Sequence, residues 1–324
     1  MHPSVSVVIP VRNEAERISG TLASILAQTY PNIAQIIVAD GMSTDSTRAS
    51  VSDFSDSRIL LLDNKMMTTP AGLNLAISAA TSQIVVRCDG HCVLPPEYVA
   101  LAIEIMKETG AVNVGGIQNA KGENEIQSSI AMAMSSRLGV GDAKFHYGGP
   151  PGPTDTVFLG VFDRAALVEA GLFDEDLIRN QDYELNIRLR QNDGIVYFDP
   201  RLAVDYFPRS SYASLARQYF QYGAWKRVVH FRYPNSIRAR QLAPPLLVLG
   251  LIVSAILAFT KWRYLGVGLP VAYVLSLIAT TVLTLSRRRR FASLLMPIAI
   301  VTMHLSWGVG YLSSARAGRP AKSL

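Results

Sequence analysis

The C-terminal part of this sequence contains no acidic residue. All 25 aspartates and glutamates lie at or before Asp205, where 15 lysines and arginines oppose them, so residues 1–205 carry a net charge of 15 − 25 = −10. Residues 206–324 carry the other 16 basic residues and no acid, a net charge of +16. The calculated pI of 9.3 therefore describes neither part.

A segment with basic residues and no acidic ones is typical of proteins that bind nucleic acid or anionic lipid. Here they flank long apolar runs instead of covering a polar domain, and 49% of all residues are hydrophobic. This arrangement favours a membrane. We therefore expect membrane lipids as partners and no nucleic acid.

Cysteine is also scarce. Cys88 and Cys92 are the only two in the chain, and with His91 they indicate zinc only weakly, because no second Cys/His pair is placed to complete a tetrahedral site. We expect reduced thiols in a cytoplasmic domain. The first 20 residues carry charges from Arg12 onward, so we also expect no secretory signal peptide.

The acidic part alternates short β-branched runs with helical patterns. Strands are predicted at residues 5–10, 36–39, 59–62 and 84–88, with helices at about 15–28 and 71–80 between them. Strand, helix, strand in this order predicts an α/β fold with a doubly wound parallel sheet. Ligands of such sheets bind at the carboxyl ends of the strands.

One strand end stands out. Residues 84–86 are uninterrupted β-branched residues, typical of a strand buried on both faces, and Asp89-Gly90-His91 follows directly. A carboxylate at this place, a glycine that permits close approach of the backbone and a second ligand suit a divalent metal that carries a diphosphate. The alternative is that Asp89 caps the next helix, but that helix is predicted to begin at Pro95–Glu97.

Two other acids have equally plain alternatives. Asp40, at the end of the second strand, is placed to accept a hydrogen bond from a nucleoside, but the run from Asp40 to Ser46 also suits a self-capped turn. Asp182 and Glu184 are two apart and cannot share one face of a helix, so at most one points into the crevice. By spacing alone, Asp182 in the first turn is better explained by the helix dipole.

The basic part begins with an aromatic and cationic stretch, residues 212–233, that is typical of a helix lying on a bilayer and is also compatible with binding a polyanion. Three apolar runs follow, at about 242–260, 264–286 and 291–313. Each is long enough to cross about 30 Å of hydrocarbon at a helical rise of about 1.5 Å per residue. Buried core helices are the alternative.

Taken together, these motifs resemble glycosyltransferase family 2, and within it the ExoA-like glucosyltransferases of succinoglycan-type exopolysaccharide assembly. The resemblance covers nearly the whole chain. It is carried, in chain order, by Pro10-Val-Arg12-Asn13-Glu14, Asp40 with Asp45, Gly72-Leu-Asn74-Leu-Ala76, Asp89-Gly90-His91, Gln181-Asp182 and Gln221-Tyr-Gly-Ala224-Trp225.

The resemblance implies a GT-A type, Rossmann-like domain that binds a nucleotide sugar. It implies that Asp182 is the catalytic base, and it favours this role over the alternative in which Asp182 only complements the helix dipole. It also implies that Asp89 and His91 are the ligands of Mg²⁺ or Mn²⁺. The residues implied to bind the nucleotide sugar are Pro10, Arg12, Glu14, Asp40, Asp45, Asn74, Asp89, Gln221, Trp225 and Lys226. The sequence departs from the family motifs at two positions: Gln181 replaces a glutamate, and Ala224 replaces an arginine. Lys226 or Arg227 would then supply the positive charge of that arginine.

The implied activity is non-processive transfer of a sugar, most simply glucose, from a UDP-sugar to a polyprenyl-diphosphate-linked acceptor, with inversion at the anomeric carbon. The alternatives are a processive polysaccharide synthase and a membrane-anchored scaffold that binds nucleotide sugars without turnover. Partners in a polysaccharide assembly pathway would follow from the activity. We expect a catalytic domain over residues 1–210, an interfacial region over 211–240 and a membrane domain over 241–324.

The expected location is the inner membrane, crossed several times, with the catalytic domain in the cytoplasm. Arg287–Arg290, in a short loop, should also be cytoplasmic. The third apolar run would then carry the tail, with Arg316, Arg319 and Lys322, across the membrane. A segment bent at Pro297, His304 and Gly308 that returns the tail is the alternative, and we favour the crossing.

Overall fold

The computed structural model describes residues 2–288 and 290–314, so the three tail cations Arg316, Arg319 and Lys322 lie outside the described residues. The chain forms two compact units. The first contains Met1–Asn119 and Gly148–Tyr206, and the second contains Ala120–Tyr147 and Phe207–Leu324. The chain thus leaves the first unit after Asn119, returns at Gly148 and leaves it again after Tyr206.

The β-strands belong to one large and one small sheet. In chain order they are β1 (Val5–Val11), β2 (Ile33–Asp40), β3 (Ile59–Asp63), β4 (Ile84–Arg87), β5 (Asn113–Gly116), β6 (Gln118–Ala120), β7 (Gly152–Pro153), β8 (Phe158–Asp163), β9 (Val196–Phe198) and β10 (Val204–Tyr206).

The helices are short in the first unit and long in the second. In chain order they are α1 (Ile18–Leu26), α2 (Thr47–Ser52), α3 (Thr69–Ala79), α4 (Tyr98–Thr109), α5 (Glu125–Met134), α6 (Arg137–Val140), α7 (Lys144–Tyr147), α8 (Arg164–Glu169), α9 (Gln181–Gln191), α10 (Tyr212–Arg232), α11 (Ala239–Leu257), α12 (Arg263–Arg288) and α13 (Ala292–Ser313).

The large sheet has eight strands in the order β3-β2-β1-β4-β8-β5-β9-β7. The first four strands are mutually parallel, as predicted. Strand β8 is antiparallel to both β4 and β5, so the other half of the sheet is mixed. The α/β class and the nucleotide-binding type of fold predicted from the sequence are confirmed, and the antiparallel strand is an addition to them.

The centre of the first unit is strand β1. Its residues Val5, Val7, Val8 and Ile9 have no exposed surface, and all four residues of β4 are buried. Fully burying one such side chain stabilises the fold by about 1.5–3 kcal/mol. The run at 84–86 is therefore buried on both faces, as its β-branched composition predicted.

The second unit is helical in its described part. The predicted basic aromatic helix is α10, and the three predicted apolar runs are α11, α12 and α13. These three are long and apolar enough to cross a membrane by length and composition. Proline lies inside each of them, at Pro244 and Pro245, Pro270 and Pro297.

Strand β1 leaves no room for a side chain at Gly90. A Cβ built there would lie 2.6 Å from Cγ1 of Val11, a stiff β-branched side chain. We predict that Gly90→Ala lowers the free energy of unfolding by about 1–3 kcal/mol, as expected for overpacking. The matched control is Gly20→Ala in α1, where a Cβ meets nothing within 4 Å and the fold should gain about 0.5–1 kcal/mol. Thermal melting of the full chain in detergent measures both, and equal melting points would contradict the close approach.

Candidate active site

The carboxyl ends of four parallel strands meet at one edge of the large sheet. In the register of the sheet, Val11 at the end of β1 pairs with Asp40 at the end of β2, and Asp40 pairs with Asp63 of β3. On the other side of β1, Val8 pairs with Arg87 at the end of β4. The residues that follow these ends therefore face one crevice.

Asp40 is held inside the turn that it begins. Its carboxylate has no exposed surface and accepts hydrogen bonds from the backbone N–H of Ser43, at 3.1 Å, and from Arg48, at 2.9 Å. Arg48 also donates to Asp63, at 2.8 Å. The self-capped turn, one of the two sequence interpretations, is thus present. Arg48, which the sequence did not single out, ties the ends of β2 and β3 together.

The loops after β1 and β2 are joined by hydrogen bonds. Asp45 accepts from the backbone and hydroxyl of Thr47 and from the backbone of Ala15, and the bond from the Thr47 hydroxyl is the main reason that the pKa of Asp45 is lowered. Asn13, at a φ of 56°, accepts from the backbone of Thr44 at 2.9 Å. These contacts shape the crevice edge, and Arg12 lies exposed on it.

Asp89 and His91 lie just after the carboxyl end of β4 and do not cap a helix. The N-cap of α4 is Glu97, so α4 begins at Tyr98, slightly later than predicted. Nδ1 of His91 lies 3.1 Å from Oε1 of Glu14, and one ligand atom from each of Asp89, His91 and Cys92 lies within 4.8 Å of the others. The alternative that Asp89 caps the following helix does not apply.

These side chains suit a divalent cation of the Mg²⁺ or Mn²⁺ type. A carboxylate and an imidazole are ligands that Mn²⁺ accepts, and a carboxylate suits Mg²⁺. The Glu14 carboxylate lies against Nδ1 of His91, as outer carboxylates that orient metal-binding histidines do elsewhere. Cys92 is fully buried and burial raises the pKa of its thiol, so it fits this cation poorly. Both cysteines are free thiols, as predicted.

Arg87 is the residue that sequence reasoning missed. It ends β4 with 8% of its side chain exposed, and it pairs with Asp89, at 3.0 Å, and with Asp182. Burial by itself would lower the pKa of Arg87, but the two carboxylates outweigh it and the pKa is raised. The signal in the sequence is an arginine at the end of an otherwise apolar buried strand.

Asp182 lies in the first turn of α9 and faces Arg87. Its surroundings desolvate the carboxylate and raise its pKa; Arg87 opposes this shift, and Asp89 adds to it. Glu184, two residues on, has 2% of its side chain exposed and pairs with Arg188 at 2.7 Å. Asp182 thus contacts Arg87, and Glu184 contacts Arg188. This agrees with the prediction that at most one of the two acids points into the crevice.

Other predicted residues are placed elsewhere. The amide of Asn74 donates to the carbonyl of Phe173 and accepts from its backbone N–H, so it braces the loop before α9. Pro10 lies at the end of β1 near Gly72 of α3. Gln221, Trp225 and Lys226 lie on α10, in the second unit. For these residues, contact with a nucleotide sugar stays a prediction.

Comparison with known proteins gives a consistent picture. A family model, Glycosyl transferase family 2, matches residues 6–169. Succinoglycan biosynthesis protein ExoA of Rhizobium meliloti (strain 1021) is 29% identical over 310 residues, which cover 94% of this chain and 93% of that protein. Dolichyl N-acetyl-alpha-D-glucosaminyl phosphate 3-beta-D-2,3-diacetamido-2,3-dideoxy-beta-D-glucuronosyltransferase of Methanococcus voltae is 24% identical, over 97% of this chain and 98% of that protein.

A solved structure shows the same fold. The mannosyltransferase PcManGT from Pyrobaculum calidifontis, in complex with GDP-Man and Mn²⁺, aligns with a TM-score of 0.64 at 19% identity and covers 98% of this chain and 89% of that chain. At this identity the likeness concerns the fold.

Removing the charge of Arg87 should change how activity depends on pH. Asp182, the predicted base, acts only when it is ionised. The neighbouring guanidinium keeps the pKa of Asp182 lower than burial alone would make it. We predict that Arg87→Gln moves the acid limb of the kcat profile to higher pH, because the carboxylate then protonates at a higher pH. Arg87→Lys, which keeps the charge, should move it less.

Melting temperatures of both Arg87 variants check the fold, because leaving two carboxylates without their buried partner costs about 3–5 kcal/mol. An acid limb that stays in place in a folded Arg87→Gln variant would show that Asp182 does not sense Arg87.

Proposed function

We propose a specific reaction for this chain, which belongs to glycosyl transferase family 2 and is a glycosyltransferase. It moves a sugar from a UDP-sugar to a polyprenyl-diphosphate-linked acceptor, with inversion at the anomeric carbon. The observation that carries this proposal is the pairing of Asp89 and Asp182 with one buried arginine. The pairing holds both carboxylates, one proposed to bind the metal and one proposed to act as the base, at the end of one strand. This class of fold binds its ligands there.

In this proposal Asp89 and His91 hold a divalent cation, Mg²⁺ or Mn²⁺. When bound, such a cation neutralises charge on the leaving nucleoside diphosphate. PcManGT, which has the same fold, forms a complex with GDP-Man and Mn²⁺, and this supports the use of a divalent cation. Asp40, Asp45, Arg12, Glu14, Asn74 and Pro10 would line or brace the nucleotide-sugar site at the same edge of the sheet.

Asp182 acts on the acceptor. Its carboxylate takes the proton from the acceptor hydroxyl as that oxygen attacks the anomeric carbon, and the bond to the diphosphate breaks on the opposite face, which inverts the configuration. General-base catalysis of this kind contributes on the order of 10²–10⁴ in rate. The raised pKa of Asp182 makes it a stronger base than an ordinary aspartate.

A lipid-linked acceptor gives the second unit a role. The name of the Methanococcus voltae relative describes a dolichyl-linked sugar phosphate, and three helices of this chain are apolar enough to cross a membrane. The family resemblance assigns Gln221, Trp225 and Lys226 on α10 to binding of the donor. In the proposal, Lys226 or Arg227 supplies the charge of the family's arginine, which is Ala224 here. The proposed location is the inner membrane, with the catalytic unit in the cytoplasm among the enzymes of a glycan assembly pathway.

Transfer is tested with the purified full chain, a panel of UDP-sugars and a polyprenyl-diphosphate-linked acceptor. We expect UDP release only with both substrates, and a product that carries one added sugar. Products with many added sugars would favour a processive synthase. Binding of UDP-sugar without any release of UDP would favour the non-catalytic scaffold.

The two acids should fail in different ways. We predict that Asp182→Asn lowers kcat by about 10²–10⁴, the range of general-base catalysis, with donor binding kept. Asp89→Asn should lose both turnover and the Mn²⁺-dependent part of UDP binding, which calorimetry with and without Mn²⁺ measures.

The matched control is Glu169→Gln, an exposed acid at the end of α8 to which the proposal gives no role. Its kcat and Mn²⁺-dependent binding should stay within about twofold of the parent, as for most exposed substitutions. Unchanged Mn²⁺-dependent binding in Asp89→Asn would assign that residue a structural role.

A further inference from the structure

Helix α9 carries a buried amide one turn after Asp182. Asn186 lies on the same face of the helix as Asp182, because residues four apart in a helix are neighbours. Its Oδ1 accepts a hydrogen bond from Nδ2 of Asn113 at 2.7 Å, and its Nδ2 donates to the hydroxyl of Thr156 at 3.1 Å; all three residues are buried. The reaction proposed above gives Asn186 no part, so this amide needs another explanation.

The register of the sheet fixes where Asn113 lies relative to Arg87. Asn113 of β5 pairs with Phe162 of β8, and Phe162 pairs with Val85 of β4. Directly paired residues point to the same face of a sheet, and so do residues two apart in one strand. Asn113 therefore lies on the same face as Arg87, at a level two residues nearer the amino end of β4.

The two points at which α9 is attached match this spacing. Two residues of a strand cover about 6.6 Å, and the four residues from Asp182 to Asn186 cover about 6 Å of helix. Arg87 pairs with Asp182, and Asn113 donates to Asn186. A shift of α9 by one residue would turn both side chains by about 100° and break both contacts. The two contacts together thus set the height and the rotation of α9 over the sheet.

Stability alone does not explain a pair of amides at this place. Oδ1 of Asn113 is buried and has no hydrogen-bond partner in the described part of the chain, and a buried polar atom without a partner lowers stability. Replacing both members of a buried hydrogen bond by apolar groups of the same shape is often neutral or stabilising. Apolar contact is non-directional, however, whereas a hydrogen bond depends on angle and distance. The amide pair is therefore better explained by the position that it gives to α9.

We infer that Asn186 is a positioning residue for the transfer reaction: through Asn113 and Thr156 it fixes α9 so that the Asp182 carboxylate can take the proton of the acceptor hydroxyl. This role rests on the proposed function, in which Asp182 is the base. Asn186 is itself buried, so it should influence the proton transfer and leave binding of the donor unchanged. A displacement of about 1 Å in a catalytic group can lower the rate about 10²-fold.

Variants of the full chain test this role by comparing kcat with the Kd of the UDP-sugar. Asn186→Leu keeps a similar size without hydrogen bonds, and Thr156→Val keeps the shape of threonine without its hydroxyl. We expect both to lower kcat by about 10–100-fold with the Kd of the donor within about twofold of the parent. Thr156→Ser keeps the accepting hydroxyl and should keep kcat within about twofold. A parent-like kcat in folded Asn186→Leu, or equal losses in the two Thr156 variants, would overturn the inference.

The matched control is Ile187→Val, which loosens the packing of the same helix on another face. Ile187 is buried but lies five residues from Asp182, well away from the face that Asp182 and Asn186 share. Removing one methylene group from a packed core should lower the melting temperature, while kcat stays within about twofold of the parent. A fall in kcat as large as that of Asn186→Leu would show that any loosening of α9 slows the enzyme, and would contradict a specific role for Asn186.

A double variant separates failure of this role from failure of the proposed base. If Asn186 acts through Asp182, adding Asn186→Leu to Asp182→Asn should change the remaining kcat by no more than about twofold, because the group that it positions is already lost. A further fall by the factor seen in the parent background would overturn the positioning role alone. A parent-like kcat in Asp182→Asn itself would refute the proposed base, and the positioning role with it.

Discussion

The buried guanidinium of Arg87 is the constraint on which the rest of the site depends. A cation with 8% of its side chain exposed is stable only with partners, and it has two, Asp89 from the residues after its own strand and Asp182 from α9. This pairing joins segments 95 positions apart in the chain. It orders the loop that carries His91 and the first turn of α9, and it explains why neither carboxylate caps a helix.

The charges of the Arg87 cluster suit the divalent cation that we propose to bind there. Two carboxylates and one guanidinium sum to 1 − 2 = −1, which attracts a divalent cation. Gln181, where the family motif has glutamate, is buried beside Asp182. A glutamate at position 181 would add a further negative charge next to Asp182, so the departure is consistent with this balance.

Sequence patterns predicted local structure well and long-range pairing poorly. The β-branched run before Asp89 identified a buried strand, and the two-residue spacing of Asp182 and Glu184 predicted that one acid would face away. Spacing could not show that Arg87 reaches Asp182, since that contact depends on the order of strands and on where α9 lies. The antiparallel β8 was missed for the same reason.

The central claim is that Asp182 activates the acceptor for direct displacement of a diphosphate held at Asp89. The configuration of the new glycosidic bond tests it most directly. Product made from an α-linked UDP-sugar and a lipid-linked acceptor is released from its lipid, and the coupling constant of the transferred anomeric proton is measured by NMR. A β linkage, with inverted configuration, is the predicted result. An α linkage would contradict the account, since retention needs a second displacement or a different path for the leaving group.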